Sequence, residues 1–286
     1  MASPIVQLFY NRTAGGHCPR RLAALHDRFS AHGADVILSE CGPGSKIMVA
    51  DGASHVCAIG GDGTVRHVAL ALARCGRSLP LSVYPAGTVN LLHRERPFPV
   101  DPDQHARRLL GAGSGAHLHP VEINDTLFLA CASAGPDSRA VAAVSPPLKR
   151  RIGKRAYAVA FLGVLLRWQR QKIRLDCDGR TIECEAFYAA KGRFFAGPWS
   201  FAPEARVADP RLHVVALTRA RRLDFARFVW ALWRGRPVDR LAGAVAFTCT
   251  GFTADADAPI PVQADGDLVA TLPLRVRLRP DPLALC

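Results

Sequence analysis

The chain has 286 residues, 49% apolar and 21% charged, which is enough to bury two ordinary cores and excludes a disordered, collagenous or low-complexity chain. Lys and Arg outnumber Asp and Glu by 37 to 24, and the excess is local. Ten basic residues and no acid lie between Arg139 and Arg174, and nine Arg against three Asp lie between Ala205 and Arg240. That positive field suits an anionic partner (lipid head groups, phosphates or nucleic acid), or it is a solvated Arg-rich surface. The nine Cys form no C-x-x-C pair, and Cys57, Cys131 and Cys249 sit inside apolar runs, as small hydrophobes do in a reducing cytoplasm. The start, MASPIVQLFYN, has no basic region followed by a hydrophobic block, so no signal peptide is expected. The longest apolar run, Ala156 to Leu166, is far shorter than the roughly 20 residues of a spanning helix. The expected location is cytoplasmic, with a peripheral place at the inner face of the membrane open to it.

Ile5 to Tyr10 (IVQLFY) reads as a buried strand that ends in the turn sequence Asn11-Arg-Thr-Ala-Gly-Gly. Arg20 to His32 carries Leu22, Leu25 and Phe29 at helical spacing, with Gly33 as a stop. Ala34 to Leu38 and His55 to Ile59 read as the second and third strands, and Val65 to Ala73 as a helix ending near Gly76. Leu81 to Tyr84 is a fourth strand leading into Pro85-Ala-Gly-Thr-Val-Asn90 and a short helix. Strands alternating with helices predict a parallel α/β layer. A hinge is expected at Gly111 to Gly115 (GAGSG). Beyond it come a hairpin from Val121 to Ala132 over Asn124-Asp125, another from Ile173 to Ala189 over Asp178-Gly179, and strands at Leu212 to Leu217, Ala244 to Thr250, Pro261 to Ala264 and Leu274 to Arg279. Helices are expected near Lys149 to Gln171 and Asp224 to Arg234. The second half reads as an antiparallel sandwich with helical insertions.

Gly60-Gly61-Asp62-Gly63-Thr64, after a strand and before a helix, is the strongest local signal. Glycines let backbone N–H groups approach a phosphate, and the helix N-terminus adds favourable partial charge. Asp62 adds a carboxylate suited to Mg²⁺ or an ordered water; a plain strand-to-helix turn with Asp as its cap has the same sequence. No Walker A motif and no G-x-G-x-x-G occurs. In a parallel sheet the loops Asn11 to Gly15, Gly60 to Thr64 and Pro85 to Asn90 all follow strand C-termini and converge on one crevice. Asp265 and Asp267 share a face if they lie on a strand. Gly266 marks a turn instead, where that inference fails and the pair reads as a hairpin tip.

Taken in order, Asn11-Arg-Thr-Ala-Gly, Gly60 to Thr64, Pro85-Ala-Gly-Thr-Val-Asn90, Gly135-Pro-Asp137, Lys149 to Tyr157 (K-x-x-x-G-x-x-A-Y), Gly197-Pro198 with Ala202 to Ala205, the eroded acidic stretch Ala208 to His213, and Val262-Gln-Ala-Asp-Gly-Asp267 run over nearly the whole chain. This series resembles the diacylglycerol kinase catalytic family, with its bacterial lipid kinases and sphingosine kinases; NAD kinases share the G-G-D-G-T loop. The resemblance implies a three-layer, NAD kinase-like α/β domain over residues 1–117, onto which the tail 280–286 packs back, and an antiparallel β-sandwich domain with helical insertions over 118–279. It implies ATP-dependent phosphorylation of diacylglycerol or a related lipid alcohol, with ATP and Mg²⁺. Asn11, Arg12, Thr13, Ala14 and Gly15, with Gly60, Gly61, Asp62, Gly63, Thr64, Val65 and Arg66, would line the nucleotide, Thr88 would meet the phosphates, and Ser39 would join them. Asp209 would help hold a structural Mg²⁺ beside the carbonyls of Arg206 and Arg211. Asp267 would take the acceptor's proton, with Asp265 beside it.

Three positions depart from the family pattern. Arg12 replaces a Pro. His67 stands where many members carry Glu, and an imidazole does not replace a carboxylate on Mg²⁺. Asp267 is one methylene shorter than the usual Glu, and a base displaced by ~1 Å costs on the order of 100-fold in rate. A catalytically degenerate lipid- or nucleotide-binding protein on the same scaffold, or an NAD kinase, therefore stays open. Leu223 to Trp233 carries Phe225, Phe228, Val229, Leu232 and Trp233 at helical spacing among Arg219, Arg221, Arg222, Arg227, Arg234 and Arg236, which reads as an anionic-membrane face or as a core helix with Arg ends. Ala156 to Leu166 is a weaker membrane candidate. No nucleic-acid module is evident, and a homodimer is open.

Overall fold

Strand β1 (Ile5–Tyr10) buries four consecutive residues, and β3 (His55–Gly60) and β4 (Leu81–Pro85) are equally apolar. Runs buried on both faces belong in the middle of a parallel sheet. The computed structural model describes residues 3–42, 45, 47–111, 115–144 and 155–286, apart from the side chains of 155–158. The middle of the expected hinge (112–114), the start of the helix expected from Lys149, and the side chains of its K-x-x-x-G-x-x-A-Y stretch lie outside the described residues. The chain divides into two units, Met1–Pro120 with Asp281–Cys286, and Val121–Pro280.

In the first unit β2 (Asp35–Glu40), β1, β3 and β4 pair in parallel. The C-terminal β18 (Leu283–Leu285) pairs parallel to β4 and antiparallel to β5 (Ala116–Leu118), giving the order β2-β1-β3-β4-β18-β5. Helix α1 (Pro19–Ala31) buries Leu25 and Phe29; α2 (Asp62–Cys75) buries Val65, Val68, Ala69 and Leu72 and stops at Gly76, whose φ of 67° is the left-handed C-cap a glycine adopts freely. Short α3 (Leu91–Glu95) and α4 (Pro102–Leu110) follow. The α4 pattern escaped the sequence reading because Pro and Asp dominate its first turn. Its His105 is a pin: Nδ1 meets the Pro99 carbonyl at 2.8 Å and Nε2 the Ser82 hydroxyl at 3.1 Å, and burial pushes the imidazole down to about 4.

The second unit stacks two antiparallel sheets. One is ordered β10-β9-β14-β17-β6-β7 and the other β13-β12-β11-β8-β15-β16. The first comprises β6 (Val121–Ile123), β7 (Thr126–Phe128), β9 (Ile173–Cys177), β10 (Arg180–Cys184), β14 (Gly251–Ala256) and β17 (Leu274–Leu278). The second comprises β8 (Cys131–Ala134), β11 (Ala186–Ala190), β12 (Leu212–Leu217), β13 (Ala244–Cys249), β15 (Pro261–Ala264) and β16 (Asp267–Thr271). Phe128, Leu175, Phe252 and Val276 from one sheet meet Phe187, Val214 and Val262 from the other in one core.

Two expected hairpin arms each split between the sheets. The second arm of the first, 127–132, becomes β7 and β8; that of the second, 181–189, becomes β10 and β11 with buried Glu185 at the break. Arg170 grips Glu185 through Nε at 2.8 Å, and the Ala220 N–H donates to it at 3.0 Å, so the charge is paired where the chain changes sheet. Helix α5 (Pro136–Ala143) was not expected, since its small residues carry no apolar stripe. Helix α6 spans Arg155–Leu166, short of the Gln171 expected. Helix α7 (Arg222–Arg234) lies on the outer face of β11 and β12. There Phe225, Phe228 and Leu232 join Ala186, Tyr188 and Val215, with the Tyr188 and Phe228 rings 4.6 Å apart. Alternate β11 residues therefore face the sandwich (Phe187, Ala189) and the helix (Ala186, Tyr188, Ala190), which is why all five are buried.

Candidate functional site

The three loops of the first unit meet through specific bonds. Helix α2 begins at Asp62, inside the glycine stretch and earlier than the Val65 expected, with Gly61 as its N-cap. The Asp62 carboxylate accepts the Asn90 N–H at 3.0 Å and the Leu91 N–H at 2.5 Å, so the start of one helix caps the start of the next. Gly87 N–H and the Asn90 side chain close the third loop at 2.9 Å. The Asn11 amide donates to Thr64 Oγ1 at 3.4 Å, its Oδ1 accepts from the Thr13 N–H at 2.8 Å, and Gly16 N–H bonds the Ala86 carbonyl at 3.0 Å.

Two glycines are dictated by contact. A Cβ on Gly87 would stand 2.3 Å from Gly61 Cα, and one on Gly60 2.4 Å from Thr64 Oγ1. Packed this closely, the loops present main chain rather than side chain. The first N–H groups of α2 have no acceptor within their own helix, an arrangement suited to phosphate.

Placement differs among the residues singled out from sequence. Asn11, Gly61, Asp62 and Gly63 are half-buried in the loops, Arg12, Thr13, Gly15 and Thr88 are exposed, and Ala14 is half-buried beside them. Thr64, Val65 and Arg66 are buried on α2, so Val65 offers a ligand no side chain. Ser39, on edge strand β2 beside Phe9, holds the Gln7 amide at 2.8 Å. His67 is exposed. The residues present fit a nucleotide through backbone amides and small hydroxyls. The two Asp62 oxygens are engaged by main-chain N–H groups where the second and third loops meet.

In the second unit, Asp265 and Gly266 form the two-residue turn between β15 and β16, with φ values of 49° and 87°. The strand reading of the acid pair therefore fails. Asp265 is buried, and its carboxylate accepts the N–H groups of Leu129, Ala130 and Cys131 at 2.8, 2.9 and 3.0 Å. Asp267, half-buried, opens β16 opposite Ala264. Asp265 thus holds the turn that carries Asp267.

Around it lies a network that sequence reasoning did not assemble. Gln263 donates to Ser133 at 2.6 Å, Ser133 donates to Asp137, and the Asp137 Oδ1 is sealed from solvent with the Tyr188 hydroxyl among its neighbours. Burial, opposed by the Ser133 hydrogen bond, pushes the Asp137 carboxyl up to about 6. The G-x-D step located Asp137, but nothing local announces that its Oδ1 is sealed from solvent.

The structural Mg²⁺ expected at Asp209 does not fit. The carbonyls of Arg206 and Asp209 accept instead from the Lys191 ammonium, at 2.8 and 2.6 Å. Among the described residues no three His, Cys, Asp or Glu side chains come together as a metal site.

The membrane-face expectation for α7 is also revised: Phe225, Phe228 and Leu232 are core, while Leu223, Trp230 and Trp233 are exposed on the other side. Arg236 lies over the Trp230 ring at 4.5 Å and Arg234 over Trp233 at 5.1 Å. No described helix is long and apolar enough to cross a membrane.

Residues 6–118 match the diacylglycerol kinase catalytic domain, and residues 130–286 match the YegS C-terminal NAD kinase beta sandwich-like domain. A "Probable lipid kinase YegS-like" protein of Pseudomonas putida is 32% identical over 174 residues, covering 59% of this chain and 57% of the relative. Its namesake in Pseudomonas aeruginosa PAO1 is 34% identical over 179 residues, covering 59% and 56%. The aligned region thus spans little more than half of these relatives. A diacylglycerol kinase structure from Bacillus anthracis str. Sterne shares the fold, with a TM-score of 0.74 at 16% identity over 96% of this chain and 94% of that one. The chain belongs to the family that joins a diacylglycerol kinase catalytic domain to a YegS-type C-terminal β-sandwich domain.

Proposed function

We propose that the chain is an ATP-dependent lipid kinase that transfers the γ-phosphate to the hydroxyl of diacylglycerol or a related lipid alcohol. The observation that carries this reading is the locked triple loop, in which Asp62 and the Gly61–Gly87 contact hold main-chain amides where a phosphate chain would need them. Phosphoryl transfer asks for little covalent chemistry and much positioning. The amides at the start of α2 and the hydroxyls of Thr13 and Thr88 would hold the phosphates. Mg²⁺ arriving with ATP would neutralise charge on the transferring group. Asp267 is the proton acceptor for the lipid hydroxyl, and Asp265 fixes its turn.

The acceptor side has features that suit a lipid. A groove of about 630 Å³ in the second unit is lined by apolar Val159, Trp168 and Ile260 together with Arg139, Lys172 and Asp257. That combination suits an acyl chain below an anionic or hydroxylated head. The outward side of α7 pairs Leu223, Trp230 and Trp233 with arginines, a composition that favours the headgroup region of an anionic bilayer. Docking there would bring the enzyme to a substrate that does not leave the membrane.

A panel of lipid alcohols in mixed micelles, with radiolabelled ATP and thin-layer separation of products, tests the reading. A labelled phospholipid made from diacylglycerol or a relative supports it. ATP binding without any labelled lipid would favour the non-catalytic binding protein, and label transferred to NAD instead would make the protein an NAD kinase.

A further inference from the structure

Of the 37 basic residues only five are Lys, and one of them, Lys191, is completely buried just past the end of the apolar strand β11, AFYAA. A buried ammonium is tolerated only where oxygens replace its water. Here they are main-chain oxygens: Lys191 Nζ donates to the carbonyls of Arg206 at 2.8 Å and Asp209 at 2.6 Å. The same segment feeds a second cation. Arg206 turns its guanidinium back onto the carbonyls of Pro203 and Ala205, both at 2.8 Å. Four carbonyls between 203 and 209 therefore already face positive side chains. A divalent ion on these oxygens would stand against both charges, and it would do so where two acids of the family's D-D-G-L-L-D stretch are replaced, since Ala208 to His213 reads A-D-P-R-L-H.

We propose that Lys191 is the resident cation of this segment: its ammonium takes the place that the family resemblance gives to a structural Mg²⁺, so the second unit is held together without a divalent ion. The position matters beyond the segment itself. The N–H groups of Lys191 and Gly192 both donate to the Ala130 carbonyl, at 2.8 and 2.9 Å, and the Ala130 N–H donates to Asp265. One residue, Ala130, therefore joins the backbone at Lys191 to the turn bearing Asp267. An amine covalently built into the chain is present at every Mg²⁺ concentration, whereas a bound ion is present only above its dissociation constant. Magnesium would then be needed by the nucleotide alone.

Thermal melting without nucleotide tests this independently of any kinase activity. The wild type is expected to melt at the same temperature in EDTA and in millimolar magnesium chloride. Lys191→Met, which keeps length and bulk but leaves two buried carbonyls without their donor, is expected to melt about 8 °C lower in both. A magnesium-dependent rise in the wild type that disappears in Asp209→Asn would overturn the proposal, as would a Lys191→Met protein that melts with the wild type. If Lys191→Met does not fold, the wild-type comparison with and without magnesium, repeated with Asp209→Asn, carries the test alone.

Discussion

The two units build their key turns with the same device and from different charges. In the first, one carboxylate, Asp62, bridges two loops by accepting main-chain N–H groups from the start of α3. In the second, Asp265 accepts three N–H groups, and Lys191 supplies the opposite charge to main-chain carbonyls nearby. The difference lies in exposure. The Asp62 loops are half-buried, whereas Asp265 and Lys191 are sealed from solvent and grip main chain from inside. A charge that grips backbone from inside has no solvent to fall back on, so its loss should cost more than the loss of the half-exposed one.

Asp265→Ala is the sharpest way to break that comparison. Three buried N–H groups lose their acceptor, and a non-glycine residue other than Asn or Asp is left at φ 49°. A loss of about 4 kcal/mol is expected, read by chemical denaturation. Asp265→Asn, which tolerates that φ and keeps one acceptor oxygen, should lose clearly less. If the two variants fell equally, the carboxylate would not be what organises the turn.

Gly87→Ala comes next. Its Cβ would meet the backbone of Gly61 and the amide of Asn90, neither of which can step aside cheaply. Destabilisation of about 2 kcal/mol is expected, with ATP affinity reduced at least as strongly, because the added methyl pries apart the two loops themselves. Unchanged ATP affinity would mean that these loops do not hold the nucleotide.

Asp137 gives a pH signature. Its folded pKa is raised by burial, so its favourable contribution is present below the ordinary carboxyl range and is lost as pH rises through about 6. Relative to Asp137→Asn, the wild type should therefore weaken between about pH 4 and about pH 6, by roughly 2–3 kcal/mol in all. Parallel stability curves for the two proteins would show that folding does not raise the Asp137 pKa.

The smallest effect on stability should come from the outward side of α7. Replacing exposed Trp230 and Trp233 together by Ser is expected to lower affinity for anionic vesicles about tenfold while leaving the melting temperature nearly unchanged. The inward side should behave oppositely, with Phe228→Ala costing about 3 kcal/mol. Equal vesicle affinity in the double variant would remove α7 as the docking face.

What could be read beforehand follows the same division. Glycine spacing and strand-to-helix order announce the loops of the first unit, because those features are local. Turns at Asn124-Asp125, Asp178-Gly179 and Asp265-Gly266 are legible from their residue types, and each carries a positive φ. The acceptors and donors of buried charges are not local. Asp265 finds its partners 134 to 136 residues away, and Lys191 reaches 15 and 18 residues forward to carbonyls that any residue would supply. The stretch 181–189 likewise hides a change of sheet: Glu183 and Glu185 look alike in the sequence, but only Glu185 is buried, and its partner Arg170 lies elsewhere in the chain. The inward and outward sides of α7 were merged because an aromatic stripe at helical spacing looks alike in a core and at a bilayer. The one clue that was available for Lys191 is composition: a lysine at the end of a buried strand in a chain that otherwise favours Arg.

The proposed reaction transfers phosphate from a nucleotide held by the first unit to a hydroxyl deprotonated by Asp267. Turnover of radiolabelled ATP into phospholipid, measured beside ATP affinity for the wild type and Asp267→Asn, tests it most directly. The account predicts that the variant binds ATP as the wild type does and forms labelled lipid slower by at least about 100-fold. Lipid phosphorylation at the wild-type rate in Asp267→Asn would contradict it.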